Sequence, residues 1–340
     1  MNKITVMGID LAKNIFQLHG ADDRGKAVLK KKLNRQQLSL FIANLPQCTV
    51  AMEACGGSHY WARKFQAMGH EVKLISPQFV KPFVKSNKND AHDAEAIVEA
   101  AQRPNMRFVA VKSVEQQDAL CLHRVRERLI RGRTALVNEI RGLLYEYGVV
   151  VPQGIKKLRS ALPEILEQGD NQLSALGRKL FSQLYLELCG FDKKVEIYNA
   201  KIEAQSKSSE VCQKIMKIPG VGPLTATAIV ASVGNAKLFT NGRQMSAWLG
   251  LVPRQSSSGG KENLLGISKR GDSYIRKLLI HGARAVLQVS KTTAVDTPKT
   301  VWLKKLEERR GFNKACVALA NKNARVIWKL LATDDVYRAA

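Results

Sequence analysis

Two acidic residues of this chain stand where an isolated charge is costly. Asp10 closes the apolar run Ile4 to Ile9, and Glu53 closes a second one, Thr49 to Met52. A carboxylate at the end of a buried strand is stable only when something cationic meets it. Asp90 and Asp93 lie three apart in NDAHDAEAIVEA, at the start of a predicted helix, and that spacing projects both onto one face. Four convergent acids in a basic protein need a compensating charge, and an all-oxygen ligand set suits Mg²⁺ or Mn²⁺. Two such ions about 4 Å apart activate an attacking group and stabilise the leaving oxygen at a phosphodiester. Each acid also has a plainer reading: Asp10 as the cap of the turn that follows it, Asp90 as a helix N-cap, Asp93 as a complement to the helix dipole. His92, between the two aspartates, faces away from them on a helix and is left out of the ligand set.

The elements that must position these acids are legible as a pattern. Ile4 to Ile9, Ile15 to His19 and Lys26 to Leu33 are three short strands joined by turns, the second turn built from Asp22, Asp23, Arg24 and Gly25. An amphipathic stretch from Gln36 to Ala43, a strand ending at Glu53, a helix from Ser58 to Met68, the strand Val72 to Ile75 and a short helix follow. The order βββαβαβα, with one carboxylate closing the first strand and another the fourth, resembles the ribonuclease H fold of RuvC-type nucleases and retroviral-type integrases. The fold class expected is therefore an α/β RuvC-like domain (1–110), a helical coiled-coil region (111–210) and a mainly helical domain (211–340).

In the middle region Leu120, Val125, Leu129, Leu136, Ile140, Leu143 and Leu144 recur at three- and four-residue spacing, which predicts an antiparallel helical hairpin. Pro152, Gly154 and Gly169 mark breaks before its second arm, roughly Ser174 to Lys207. Arginines decorate the first arm, with Arg124, Arg128 and Arg131 as candidate phosphate contacts; a solvated coiled-coil face explains them equally well. The last region opens with IMKIPGVGPLTAT, Ile215 to Thr227, a pattern of helix, Pro-Gly-Val-Gly turn and helix. A helix-hairpin-helix would present Gly220 and Gly222 amides to a phosphate, and a merely tight connection is the alternative. Basic helices are expected around Ile275 to Leu287 and Ala315 to Leu331, after a Ser/Gly-rich loop at Gln255 to Gly260.

The charge balance agrees with a polyanionic partner. The 340 residues carry 54 Lys plus Arg against 29 Asp plus Glu, a net +25, distributed as +7, +3 and +15 over the three regions. That excludes an acidic or neutral housekeeping enzyme, while 45% hydrophobic residues exclude a disordered basic tail. Nucleic acid is the commonest polyanion for such a surface. No run approaches the roughly 18 apolar residues of a membrane helix, and the amino terminus lacks a signal-peptide pattern. A cytosolic, nucleoid-associated protein with no membrane partner is expected. The six cysteines are dispersed without a CxxC pair and read as packing.

GIDLAK at Gly8 to Lys13, MEACGGSHYW at Met52 to Trp61 and KSNKNDAHDAEAI at Lys85 to Ile97 resemble the amino-terminal half of the DEDD transposases of the IS110 insertion-sequence family, most closely its IS1111 branch. PGVGPLTA and WLGLVPRQSSSGGKENLLGISKRGD, the latter at Trp248 to Asp272, resemble the family's carboxy-terminal transposase domain. The resemblance implies that Asp10, Glu53, Asp90 and Asp93 form the metal site and that a serine preceding a glycine is the nucleophile, joined to DNA as a phosphoserine. The position falls on Ser258, before Gly259, although the run Ser256, Ser257, Ser258 leaves the register open. A serine hydroxyl needs a base or metal to activate it, and Arg254, Lys261, Lys269 and Arg270 are candidates for a clamp on the developing phosphate charge or for ordinary backbone contacts.

The resemblance further implies double-stranded donor and target DNA as substrates, a structured noncoding guide RNA that pairs with both, and a homodimer assembling into a tetramer through the coiled coil. Two other readings compete. A Holliday-junction-resolvase-like nuclease would use the same acids with water as nucleophile. A nonenzymatic binding protein would keep the charge without the chemistry, but gains little from four carboxylates near DNA.

Overall fold

A computed structural model describes residues 3–84, 90–292 and 297–338, without the side chains of 90 and 91. The chain forms two compact units, Met1–Val114 with Val233–Leu238, and Glu115–Ser232 with Phe239–Ala340.

The first unit is built on a six-stranded mixed sheet. Strands β1 (Val6–Leu11), β2 (Ile15–Ala21) and β3 (Ala27–Asn34) form an antiparallel meander. After helix α1 (Arg35–Ala43), β4 (Thr49–Glu53) pairs parallel with β1; after α2 (Ser58–Ala67), β5 (Glu71–Ile75) pairs parallel with β4. A short α3 (Pro77–Val80), then α4 (Asp90–Ala101), lead to β6 (Phe108–Val109), which closes the order β3-β2-β1-β4-β5-β6. The expected βββαβαβα succession is observed, with β1 running one residue past Asp10.

Alternation along the strands separates the two faces. Met7, Ile9, Val50 and Met52 pack with Leu38 and Ile42 of α1 and with Trp61 and Phe65 of α2. Ala51 and Ile75, on the other face, meet Ala96, Ile97 and Ala100 of α4. The local signals are conventional: the Asp22 carboxylate accepts from the amides of Arg24 and Lys26 in the β2–β3 turn, and Asn34 and Gln37 form a capping box on α1.

The second unit is helical. Its long arms are α5 (Val114–Tyr145) and α7 (Ala175–Ser208), with α6 (Ile155–Glu167) between them. Arg133 and Arg159 both hold Asp192 of α7, and Gly132 lets the Phe191 ring approach α5, where a Cβ would stand 3.0 Å from it. Between the expected breaks at Gly154 and Gly169 the chain forms a further helix, α6. Leu158, Leu162 and Ile165 of α6, at helical spacing, complete a core with Leu136, Ile140, Leu144, Phe181 and Leu188.

Helices α8 (Glu210–Met216) and α9 (Pro223–Val233) flank the Pro-Gly-Val-Gly turn, and α10 (Gly242–Trp248), the hairpin β7 (Pro253–Gln255) and β8 (Leu264–Ile267), α11 (Ser273–Thr292), α12 (Pro298–Arg310) and α13 (Phe312–Ala332) complete the unit. One buried histidine joins three of these elements. His123 of α5 lies 2.9 Å from Thr227 Oγ1 on α9 and 3.0 Å from the Tyr274 hydroxyl on α11. Because the Thr227 hydroxyl donates to the Pro223 carbonyl, Nε2–H donates to Thr227 and Nδ1 accepts from Tyr274. Burial, with a smaller contribution from the Arg126 charge, pushes the His123 pKa down to about 4, so this neutral form persists.

Candidate active site

The sheet register brings the first two acids together. Ile9 pairs with Met52 across parallel β1 and β4, so Asp10 and Glu53 leave the sheet at the same level of neighbouring strands. Asp93 comes from the other face, in the first turns of α4. All three are half-buried. They also share one electrostatic environment: burial pushes the Glu53 carboxyl above the usual range, and the Asp10 and Asp93 charges push it further. Cys55, on the loop after β4, is held protonated by burial and by the same Glu53 and Asp10 charges.

Asp90 opens α4 three residues ahead of Asp93, and its side chain lies outside the described residues. Among the described residues no three His, Cys, Asp or Glu groups already stand in a metal cage. The donor set nevertheless fits a hard divalent cation: carboxylate oxygens only, mutually repelling, and accessible to solvent. His92 is exposed on α4.

A glycine that the motif reading did not single out sets the approach of α4. A Cβ at Gly8 would stand 2.5 Å from the Ala94 carbonyl oxygen and 2.6 Å from Val98 Cγ2. Only a residue without a side chain lets α4, and with it Asp93, lie this close to β1. The available signal was Gly8 itself, a glycine inside an otherwise apolar strand.

His59 of the MEACGGSHYW segment faces Lys112 through both ring nitrogens, Nδ1 accepting from the amide at 3.2 Å and Nε2 3.1 Å from Nζ. Burial and the Lys112 and Arg63 charges push its pKa down to about 4. Its ring is therefore neutral at neutral pH and engaged with Lys112.

The Ser/Gly-rich segment is more ordered than a flexible loop. Strands β7 and β8 carry it as a β-hairpin, in which the Lys261 amide donates to the Ser258 carbonyl at 3.0 Å and Gly259 and Gly260 take φ of 55° and 75°. Two consecutive positive φ values make the tight turn that suits a twisted hairpin. The three serines differ within it. The Ser256 amide bonds to Asn263, and the Ser257 hydroxyl accepts from Gln255 Nε2 (3.0 Å) and the Asn263 amide (3.2 Å). Ser258 is exposed at the start of the turn, and its hydroxyl has no partner among the described residues.

The base of this hairpin is rigid. A Cβ at Gly271 would stand 1.9 Å from the Trp248 carbonyl oxygen, and the Arg276 guanidinium donates to the carbonyls of Leu249 and Arg270. Arg254, Lys261, Lys269 and Arg270 are all exposed around the hairpin, and none has a carboxylate partner among the described residues. Lys269 alone among described non-glycine residues has a positive φ, 54°.

The remaining candidates separate by their surroundings. Gly220 is a packing residue: its carbonyl oxygen would stand 1.9 Å from a Cβ on Gly282 of α11. Gly222 is exposed, with open space around it, immediately before α9. Arg124, Arg128 and Arg131 are exposed along one face of α5, and Arg131 also reaches Glu127 at 3.4 Å.

Comparison with known proteins places this arrangement. Residues 7–149 match the DEDD-type IS110 transposase model, and residues 212–296 match that of the transposase IS116/IS110/IS902 family. The transposase for insertion sequence element IS1111A of Coxiella burnetii is 51% identical over 338 residues, 99% of this chain and 92% of that protein. The chain belongs to the IS110 family of insertion-sequence transposases. A probable family 20 transposase of Pseudomonas aeruginosa is 49% identical, covering 98% of both chains. The transposase for insertion sequence element IS1328 of Yersinia enterocolitica is 39% identical, covering 99% of both. As an IS110-family transposase the chain is a DNA-recombining enzyme, and its DEDD family implies dependence on a divalent metal. Among the described residues no helix is long and apolar enough to cross a membrane.

Proposed function

We propose that the chain cuts and rejoins donor and target DNA with two sets of groups: the carboxylates Asp10, Glu53, Asp90 and Asp93 of a RuvC-like, ribonuclease H-type domain, and the hydroxyl of Ser258 as nucleophile. The observation that carries this reading is the contrast among the serines. Ser257 is bonded into its hairpin, whereas the Ser258 hydroxyl is unengaged at an exposed turn beside Lys261; Arg254 lies on β7, Lys269 and Arg270 lie at the hairpin base, and none of the four cations has a carboxylate partner among the described residues. The strand order, the antiparallel first three strands and the adjacent carboxylates on β1 and β4 support the ribonuclease H-type assignment.

The chemistry balances without an energy source. Ser258 Oγ loses its proton and attacks the scissile phosphorus; the bond from phosphorus to a deoxyribose oxygen breaks, and that oxygen leaves as a hydroxyl after taking up a proton. A phosphoserine ester now holds the strand end. Attack by the hydroxyl of another strand forms a new phosphodiester and returns the serine. One phosphate ester replaces another at each step, which agrees with the absence of a GxxxxGK[ST] segment. Arg254, Lys261, Lys269 and Arg270 meet the charge that develops on the phosphate oxygens. Asp10, Glu53, Asp90 and Asp93 would hold a divalent ion, Mg²⁺ or Mn²⁺, which would supply Lewis-acid charge to a phosphodiester.

The reading extends to three functional segments, 1–110, 111–210 and 211–340, and to a homodimer that assembles into a tetramer, with the exposed Leu176, Leu180 and Leu186 of α7 available for protomer contact. A structured noncoding RNA supplies sequence choice while the basic Arg124, Arg128 and Arg131 and the backbone at Gly222, before α9, hold phosphates, and the protein works on cytosolic, nucleoid-associated DNA. The deciding experiment looks for protein covalently attached to DNA in stalled reactions. The adduct is expected to map to Ser258, to vanish in Ser258→Ala and on chelation, and to persist in Ser256→Ala and Ser257→Ala. Normal cleavage by Ser258→Ala, with no adduct in the wild type, would identify water as the nucleophile and a resolvase-like nuclease.

A further inference from the structure

A cavity of about 1590 Å³ opens in the second unit, bounded by the β7–β8 hairpin, α10, α12, α13 and the segment after α13. That is larger than the roughly 300–1,000 Å³ of an ordinary small-molecule site. Its described lining includes seven lysines and arginines against one carboxylate, Asp335, which Lys329 already engages at 3.0 Å. Three aromatic residues, Trp302, Trp328 and Tyr337, also line it, each partly exposed.

Two of the lysines are held in place. Lys299 Nζ donates to Asn323 Oδ1 at 3.3 Å, and Asn323 is 1% exposed, its amide nitrogen donating to the Pro219 carbonyl at 3.0 Å. That second bond fixes which way the asparagine points. Lys322 Nζ rests 4.9 Å from the Trp302 ring centroid. Burial and the Lys322 charge lower the Lys299 pKa, a sign that the two ammonium groups feel each other. A folded protein that gathers like charges at a cavity with aromatic walls is arranged for an anion that also carries rings.

We propose that this cavity is a groove for an unpaired stretch of nucleic acid, with Lys299 and Lys322 on its phosphates and the Trp302 and Tyr337 rings stacking on its bases. Partly enclosed aromatic rings cannot reach the faces of paired bases, whereas a single strand offers both a backbone and free π-faces. The groove walls include Pro253, Leu265, Gly266 and Ile267 of the serine hairpin, so a strand lying in it runs to the element that carries Ser258. The proposal rests on the recombinase reading for its purpose, the holding of strands that have left their duplex, but not for its test. Unpaired DNA and unpaired RNA share the chemistry, and the experiment separates them.

The test measures binding of labelled oligothymidylate, oligouridylate and a duplex of equal length to the full chain. Lys299→Ala with Lys322→Ala, and separately Trp302→Ala, are expected to weaken single-strand binding by about tenfold while changing duplex binding less than about twofold. Trp302→Phe is expected to restore most of the loss, because it keeps a stacking face. Whichever oligonucleotide loses more identifies the source of the strand. Wild-type single-strand affinity in a folded Lys299→Gln/Lys322→Gln protein, or in a folded Trp302→Ala protein, would overturn the proposal. So would equal losses for duplex and single strand, or displacement of the oligonucleotide by polyglutamate at matched charge, which would make the groove a general cationic surface. Ser258→Ala is expected to keep full single-strand affinity, so failure of the nucleophile assignment and failure of the groove give different results.

Discussion

At the scale of single residues, the acidic patch is organised against its own stability. Glu53 is raised by burial and then by Asp10 and Asp93, so without a cation the three carboxylates repel one another across a half-buried surface. Neutralising one removes repulsion along with a proposed metal ligand. Glu53→Gln is expected to abolish DNA cleavage while leaving the metal-free protein as stable as the wild type, or more stable by up to about 1 kcal/mol. Thermal melts in a chelating buffer, with cleavage assays beside them, read both halves. Full cleavage by Glu53→Gln would remove it from the site, and a clear fall in melting temperature would show that the carboxylate is structural. The serines follow the same logic of engaged against unengaged groups, since the Ser257 hydroxyl is bonded within the hairpin and the Ser258 hydroxyl has no partner among the described residues.

At the scale of elements, the His123 junction ties the long α5 arm to α9 and α11, and it carries a pH dependence of definite sign. The folded pKa is about 4, against about 6.5 in an unfolded chain. Between these values the unfolded state binds the extra proton, so stability rises with pH. The contribution is complete above about pH 6.5 and is lost as pH falls toward 4, to a total on the order of 3 kcal/mol. His123→Gln keeps a donor for Thr227 and an acceptor for Tyr274 without titrating. Melting temperatures recorded from pH 7 to pH 4 are expected to fall more steeply for the wild type than for this variant; parallel curves would mean that His123 does not control the acid limb.

For the whole molecule, affinity for nucleic acid follows from where the charge lies. The last 130 residues hold +15 of the net +25, and the exposed cations around the hairpin are free of carboxylates among the described residues. Each duplex phosphate contact adds about −0.9 to the slope of log K against log salt. Replacing Arg254, Lys261, Lys269 and Arg270 together with Ala is expected to flatten that slope by about 2 to 4. The α5 triple replacement of Arg124, Arg128 and Arg131 is expected to change it less, because Arg131 shares Glu127 with Lys277. Equal changes would place as much backbone contact on the helical arm as on the hairpin.

Sequence alone determined whatever depends on near neighbours along the chain. Short apolar runs marked the strands, Asp22 to Gly25 marked their turn, and the three- and four-residue spacing of leucines marked α5. Local motifs also marked the acids at the strand ends and the serine run. Tertiary structure decided what depends on segments distant in the chain. Gly154 and Gly169 marked the breaks on either side of α6, but the partners of its apolar stripe of Leu158, Leu162 and Ile165, on α5 and α7, come only from the tertiary structure. Gly8 is ordinary in its own strand, and its necessity comes from Ala94 lying 2.5 Å from where its Cβ would be. Gly220 and Gly222 look alike in PGVGP, yet one packs on Gly282 and the other faces solvent. The groove gathers residues from Asn241 to Arg338, a span over which no sequence periodicity operates. Close packing is set by the shape of both partners at once, and a one-dimensional pattern records only one of them.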